Sequence, residues 1–151
     1  MGLFNIFKKP IIVNDEYIGT LRFVEFKDST KDYFEGKAHF APTDSVTEIF
    51  VQADRNGPTD EQREFYRDFQ SNFRVYIEKI QPLIENEFRN WQENFIIHDF
   101  TKEFKLVCIT IPRFAKKPLS WDLSFTTSHD KEHYVTIDFM DFEPIGVLID
   151  G

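Results

Sequence analysis

An apolar stripe with helical spacing runs through the middle of the chain, and it constrains the fold more than any other feature. Its members recur three or four residues apart: Phe65, Phe69, Phe73, Tyr76, Ile80, Ile84, Phe88 and Trp91. A helix with one continuous apolar face must bury that face against another layer of the protein. The sequence therefore predicts one long helix, over about 59–94, packed across a second layer.

Local sequence features indicate where this helix begins and where its backbone hydrogen bonding is interrupted. Thr59 and Gln62 have the spacing of a capping box, in which each side chain pairs with the backbone N–H of the other residue. Pro82 removes one backbone hydrogen bond near the middle. Because the apolar stripe keeps its phase across Pro82, we expect a kink at the proline and a helix that continues beyond it.

Segments with the two-residue period of strands lie on both sides of the helix. Those before it are 17–26, 33–40 and 46–53. Those after it are 103–111, 119–127 and 133–139, and the tail after Pro144 is expected to add an edge strand. The order strands, helix, strands predicts an α+β fold. Its sheet is mostly antiparallel, with about six to seven strands, and one long kinked helix packs across one face.

Alternation within these segments predicts which side chains face the core. In 33–40, Phe34, Gly36, Ala38 and Phe40 share one face. In 119–127, Leu119, Trp121, Leu123 and Phe125 do the same. The helix is expected to lie against these faces.

A chain of 151 residues has the size of one domain, and residues 11–151 are predicted to form it. Residues 1–10 form a short amphipathic segment in which Leu3, Phe4 and Phe7 share one side of a helical turn. Docking on the core, fraying and a transient membrane contact are the alternatives for this segment. No transmembrane segment is predicted.

The chain is acidic, since 18 basic and 26 acidic residues give a net charge of −8. Such a chain repels phosphate backbones and anionic lipid, and no basic stripe offsets this, so nucleic-acid binding is not expected. The one cysteine, Cys108, lies in the apolar run L-V-C-I-T-I, which predicts a buried core residue. Because no second cysteine can form an intramolecular disulfide, the composition fits a reducing, cytoplasmic compartment.

Near the C-terminal end, H-D-K-E-H (129–133) matches the H-x-x-E-H pattern of a class of zinc proteases. That pattern supports catalysis on a helix, where both histidines project to one side. Here it joins two segments with strand periodicity, so we expect a hairpin loop over 128–132, with His133 opening the next strand. The candidate metal ligands in this loop are His129, Glu132 and His133. The alternative is a solvated turn whose charges discourage edge pairing.

Other catalytic patterns are absent from the sequence. It contains no G-x-S-x-G, P-loop, Rossmann glycine pattern or C-x-x-C. Asp138, Asp141 and Glu143 follow one another near the end, but in an acidic protein such a cluster is typical of a solvated face. We therefore assign no catalytic residue and no cofactor, and we expect the protein not to be an enzyme.

The start of the chain, M-G-L-F-N-I-F-K-K, resembles the opening of many small bacterial cytosolic proteins. Two further regions carry a family resemblance: D-E-Q-R-E-F-Y-R-D-F (60–69), and W-D-L-S-F with E-H-Y-V-T-I-D-F (within 121–139). In these features the chain resembles a group of small uncharacterised bacterial domains over most of 11–150. Some members of the group are thought to act as immunity proteins, which neutralise toxins used in bacterial competition. The resemblance implies no catalytic residue.

Three hypotheses for function follow from these observations. The first is a non-enzymatic cytosolic protein-interaction domain of the immunity type, whose acidic charge would help it meet a basic toxin face. The second is a metal-dependent hydrolase using His129 and His133. The third is a small-ligand-binding module with a pocket between sheet and helix. The oligomeric state stays open.

Overall fold

The structure, a computed structural model, describes residues 8–150 and contains one eight-stranded sheet. The first four strands are β1 (Ile12–Asp15), β2 (Gly19–Val24), β3 (Tyr33–Phe40) and β4 (Ser45–Val51). Three helices follow: α1 (Asp60–Ser71), α2 (Phe73–Phe88) and α3 (Phe100–Glu103). The last four strands are β5 (Phe104–Ile111), β6 (Ser120–Thr127), β7 (Tyr134–Met140) and β8 (Glu143–Asp150). The predicted α+β class is confirmed.

The strands lie in the sheet in the same order as in the chain. Every neighbouring pair is antiparallel except β4 and β5, which are parallel and pair from Glu48 with Cys108 to Val51 with Ile111. A parallel pair needs a long crossover connection. The three helices form that crossover, so they are held on one face of the sheet.

Aromatic side chains make the contact between the helices and the sheet. Trp121 of β6 stacks on Phe139 of β7 at 4.1 Å between ring centroids and meets Phe65 of α1 edge-on at 4.9 Å. Phe40 of β3 meets Phe73 of α2 edge-on at 5.0 Å. Each fully buried phenylalanine contributes about 2 kcal/mol to folding by removing its ring from water. The inward faces predicted for 33–40 and 119–127 are confirmed by the burial of Phe34, Phe40, Leu119, Trp121, Leu123 and Phe125.

The prediction of one continuous helix over about 59–94 is wrong, whereas the prediction that the helix continues beyond Pro82 is confirmed. The helical segment is divided at Asn72, whose side-chain amide donates to the carbonyl oxygen of Asp68 at 3.0 Å. An asparagine side chain that bonds a nearby backbone carbonyl in this way competes with regular helical bonding. Pro82 lies inside α2, which ends at Phe88, and Trp91 beyond it is exposed. The apolar residues before and after Asn72 still face the same layer, because each helix buries its apolar side against the sheet.

The capping box predicted for Thr59 and Gln62 is confirmed. The Gln62 backbone N–H donates to the Thr59 hydroxyl at 3.3 Å, and the Thr59 N–H donates to the Gln62 side-chain oxygen at 3.0 Å. These two bonds satisfy donors that the first turn of α1 leaves without helical partners. Sequence spacing was sufficient here because the whole motif is local.

The strand count exceeds the predicted six to seven, because β1 was not expected. Its four residues end in Asn14 and Asp15, which by type favour turns. Asp15 is buried, accepts the backbone N–H groups of Tyr17 and Ile18 at 2.9 Å each, and pairs with Arg63 of α1 at 2.7 Å. Contacts with a distant helix therefore fix this strand. The predicted tail strand is confirmed as β8, which among the strands of residues 8–150 pairs with β7 alone.

Two sequence predictions concern membranes. Among the helices of residues 8–150, none combines the length and apolar character needed to cross a bilayer. The amphipathic segment predicted for residues 1–10 lies outside the described residues except for its last three positions. Its alternatives stay predictions.

Candidate functional site

The histidine pattern lies where the sequence places it, in the hairpin between β6 and β7. Strand β7 begins at Tyr134, so His129, Glu132 and His133 all fall in the connecting loop. Asp130 organises this loop: it accepts the Glu132 backbone N–H at 3.0 Å and pairs with the His133 ring at 2.8 Å. The predicted hairpin is confirmed, except that His133 precedes the strand instead of opening it.

The two imidazoles bind different carboxylates. His129 Nε2 lies 2.7 Å from Glu103 Oε1 in α3, and its ring meets Phe95 edge-on at 4.8 Å. His133 instead pairs with Asp130 of its own loop. Within residues 8–150, no group of three or more histidine, cysteine, aspartate or glutamate side chains is arranged to hold a metal ion. In this geometry His129 fastens the hairpin to α3.

Cys108 does not face the core, contrary to prediction. The register of β5 against β6 shifts between Leu106 and Cys108, so the extra residue, Val107, is bulged. Beyond the bulge Cys108 pairs with Ser124, and both side chains lie half-buried on the face of the sheet away from the helices. Burial, followed by the charges of Asp122 and Glu48, raises the pKa of the Cys108 thiol to about 12. The thiol therefore stays protonated at neutral pH and is a poor nucleophile.

Two carboxylates face each other across strands on the same open face. Asp122 of β6 is directly opposite Asp138 of β7, and it accepts the Thr110 hydroxyl at 3.2 Å. Burial and, to a smaller extent, the charge of Asp138 raise the pKa of Asp122, while the Thr110 hydrogen bond opposes the change. Like charges directly opposite in a sheet are destabilising.

We expect Asp122→Asn to stabilise the protein by about 0.5–1 kcal/mol at neutral pH, because it removes this repulsion. Since folding raises the pKa of Asp122, the loss of stability comes from its ionised form. The loss is fully present above the folded-state pKa of Asp122 and is absent below its unfolded-state pKa, near 4. Thermal melts at neutral and acidic pH measure the difference. Glu16→Gln, at an exposed site, controls for the loss of one negative charge. An equal gain at both pH values would contradict the prediction.

The helix side carries a different site: a groove of about 420 Å³ between the helices and two loops of the sheet. Its floor is aromatic and apolar, formed by Phe65, Val75, Tyr76, Phe114 and Phe142. Val75 is 50% exposed and Phe142 is 49% exposed, so much of this apolar surface faces solvent. Solvent-exposed apolar surface gathered in one groove is typical of a binding site.

Phe142 is held over the groove by the turn between β7 and β8. Asp141 adopts left-handed backbone angles there (φ 53°), and its carboxylate accepts the Leu119 N–H at 3.0 Å. The Asp141 carbonyl accepts the Trp121 indole N–H at 2.6 Å. These contacts fix the turn to the start of β6, so the exposed ring of Phe142 has a defined position.

The rim of the groove is negatively charged. Glu61, Glu64 and Asp68 lie on one side of α1, and none of the three has a salt-bridge partner among residues 8–150. Lys79 also lines the groove, and its ammonium group is paired with Glu143 at 2.6 Å. Burial, and then the carboxylates of Asp68 and Glu143, raise the pKa of the Tyr76 hydroxyl on the floor. The groove therefore has an excess of negative charge above an aromatic surface.

The sequence contains only part of the signal for this groove. Acidic residues at 61 and 64 are visible, but the helix dipole already favours negative charge near the start of a helix. Phe114 and Phe142 belong to two loops that are distant from α1 in the chain. Only folding brings these two aromatic residues of the floor next to the acidic residues of the rim.

Searches for related proteins gave no match to this chain among family models, curated proteins or solved structures.

Proposed function

We propose that the protein is a non-enzymatic interaction domain that binds a basic partner protein through the groove beside α1. The observation that carries the proposal is the aromatic floor of the groove below three carboxylates without salt-bridge partners among residues 8–150. An arginine or lysine side chain suits this surface, because its alkyl stem packs on aromatic rings while its charge meets the carboxylates.

The charge of the whole chain favours the same partner chemistry. A net charge of −8 attracts a basic protein over a distance and raises the association rate. The groove then supplies a central apolar contact with a polar rim, which is how the binding energy of protein interfaces is commonly organised. Together with the family resemblance, these features support an immunity-type role in which the partner is a basic toxin.

The contacts of His129 and His133 give no support to a metal-dependent hydrolase. Its two histidines contact separate carboxylates, and His129 is occupied with Glu103 in a structural contact. In the groove, by contrast, Val75 and Phe142 are each about half exposed to solvent.

The proposal predicts that Glu61→Gln/Glu64→Gln/Asp68→Asn binds its partner about tenfold or more weakly than the native protein. Each lost charge pair removes a fraction of a kcal/mol, and three such losses add to this factor. The measurement is calorimetric titration with a purified secreted toxin encoded beside the gene for this protein.

A matched control separates the groove from the general charge. Glu16→Gln/Glu93→Gln/Glu132→Gln removes the same number of negative charges at exposed positions away from the groove. This control is expected to keep nearly native affinity at physiological salt, where distant charges are screened. Equal weakening by both triple variants would reject the groove, and the absence of any complex at micromolar concentration would reject the toxin as partner.

A further inference from the structure

A second cavity, of about 490 Å³, lies at the carboxyl ends of β4 and β5. These strands are the parallel pair, and the Gln52 N–H extends their pairing by donating to the Ile111 carbonyl at 3.0 Å. In open α/β sheets, ligands bind in the crevice beyond the carboxyl ends of the parallel strands, and this cavity lies at the corresponding end of the β4–β5 pair. The cavity is therefore in a favourable place for binding.

The charge of this cavity is opposite to that of the protein as a whole. Lys31, Arg113 and Lys116 line it, and none of these cations has a salt-bridge partner within the part of the chain that the structure describes. The lining also includes Asp32, which is 6% exposed and accepts the Phe26 backbone N–H at 2.7 Å. Three cations around one carboxylate leave an excess of positive charge in a chain of net charge −8.

Arg113 is held in place without being neutralised. Its Nη2 donates to the backbone carbonyls of Ser29 at 3.1 Å and Asp32 at 3.0 Å. Its Nε is buried and has no hydrogen-bond partner among the described residues. A buried donor atom without a hydrogen-bond partner costs free energy. An anion in the adjoining cavity would stabilise this charge.

An aromatic wall completes the cavity. Tyr33 and Phe50 both line it and meet edge-on, with ring centroids 5.6 Å apart. We propose that this cavity binds a small phosphate ester that carries an aromatic group. Its phosphate would lie among Lys31, Arg113 and Lys116, and its ring would lie against Tyr33 and Phe50. This inference is independent of the function proposed for the groove, which has the opposite charge.

The test is an NMR titration of the whole protein at low ionic strength with phenyl phosphate, inorganic phosphate and phenol. Phenyl phosphate is expected to shift the backbone amide signals of residues 30–33 and 110–116 in a saturable way. Inorganic phosphate is expected to bind the same residues more weakly, since it lacks the ring. Phenol, without the charge, is expected to leave these signals unchanged. Equal affinity for phenyl phosphate and inorganic phosphate would contradict the proposed contact of the ligand ring with Tyr33 and Phe50.

Paired variants locate the site. Lys31→Gln/Lys116→Gln changes two exposed side chains and is expected to weaken phenyl phosphate binding about tenfold or more, since a single charge-assisted hydrogen bond accounts for about that factor. Lys105→Gln/Lys131→Gln removes two exposed lysines outside the cavity and is expected to bind like the native protein. The proposal is overturned if the native protein shows no saturable shifts, or if both double variants lose affinity equally.

Discussion

Replacing Gly36 with alanine is expected to destabilise the protein by about 3 kcal/mol, because the added methyl group has no space. A Cβ at this position would lie inside the van der Waals radius of the Thr20 backbone carbonyl oxygen and 2.9 Å from Leu21 Cδ2. The carbonyl belongs to the neighbouring strand β2 and cannot rotate away as a side-chain end could. Relief requires the separation of β2 from β3, which pair at Leu21 and Gly36.

Thermal melting measures this effect, and for a chain of this size 3 kcal/mol corresponds to a fall in Tm of about 6–12 °C. Gly146→Ala is the matched control, since a Cβ there meets no atom within 4 Å. That control is expected to change stability by about 0.5 kcal/mol or less. If the two glycine variants melt at the same temperature, β2 and β3 do not approach as closely as the structure shows.

Replacing Gln62 with glutamate is the second substitution with a large expected effect, a loss of about 3–5 kcal/mol at neutral pH. The Gln62 side chain is 1% exposed, and its Nε2 donates to the carbonyls of Gln52 at 2.8 Å and Pro112 at 2.9 Å. These two carbonyls follow β4 and β5, so the side chain ties the start of α1 to both parallel strands. Glutamate has nearly the same shape, but it would place an oxygen where the two carbonyls need a donor.

The size of this loss should depend on pH. Ionised glutamate is unfavourable in the buried site, so its pKa would be raised in the folded variant. Protonation at acidic pH restores one donor, and the deficit relative to the native protein should therefore shrink as the pH falls. Denaturant unfolding at neutral and acidic pH measures the deficit, and Gln92→Glu on the surface is the control. A deficit that is small at neutral pH would show that Gln62 does not join the two strands.

The sequence determined the features whose cause is local. The capping box depends on Thr59 and Gln62 alone, and the inward positions of Phe34 and Trp121 follow from strand alternation. The hairpin at His129–His133 follows from the two flanking strand patterns. In each case nearby residues dictate the geometry, so the pattern could be interpreted without knowledge of the fold.

The tertiary structure decided what depends on contacts between distant segments. The bulge at Val107 turned Cys108 away from the core, and a burial pattern cannot reveal one extra residue in a strand that is apolar on both sides. β1 is too short to be recognised without the contact between Asp15 and Arg63.

The candidate sites belong to the same category. The groove needs loops that carry Phe114 and Phe142 to α1, and the anion cavity needs the parallel pairing of β4 with β5. Neither site could be predicted from the sequence, because hydrophobic periodicity specifies which side of an element is buried and not which elements become neighbours. That choice is made by packing among segments far apart in the chain.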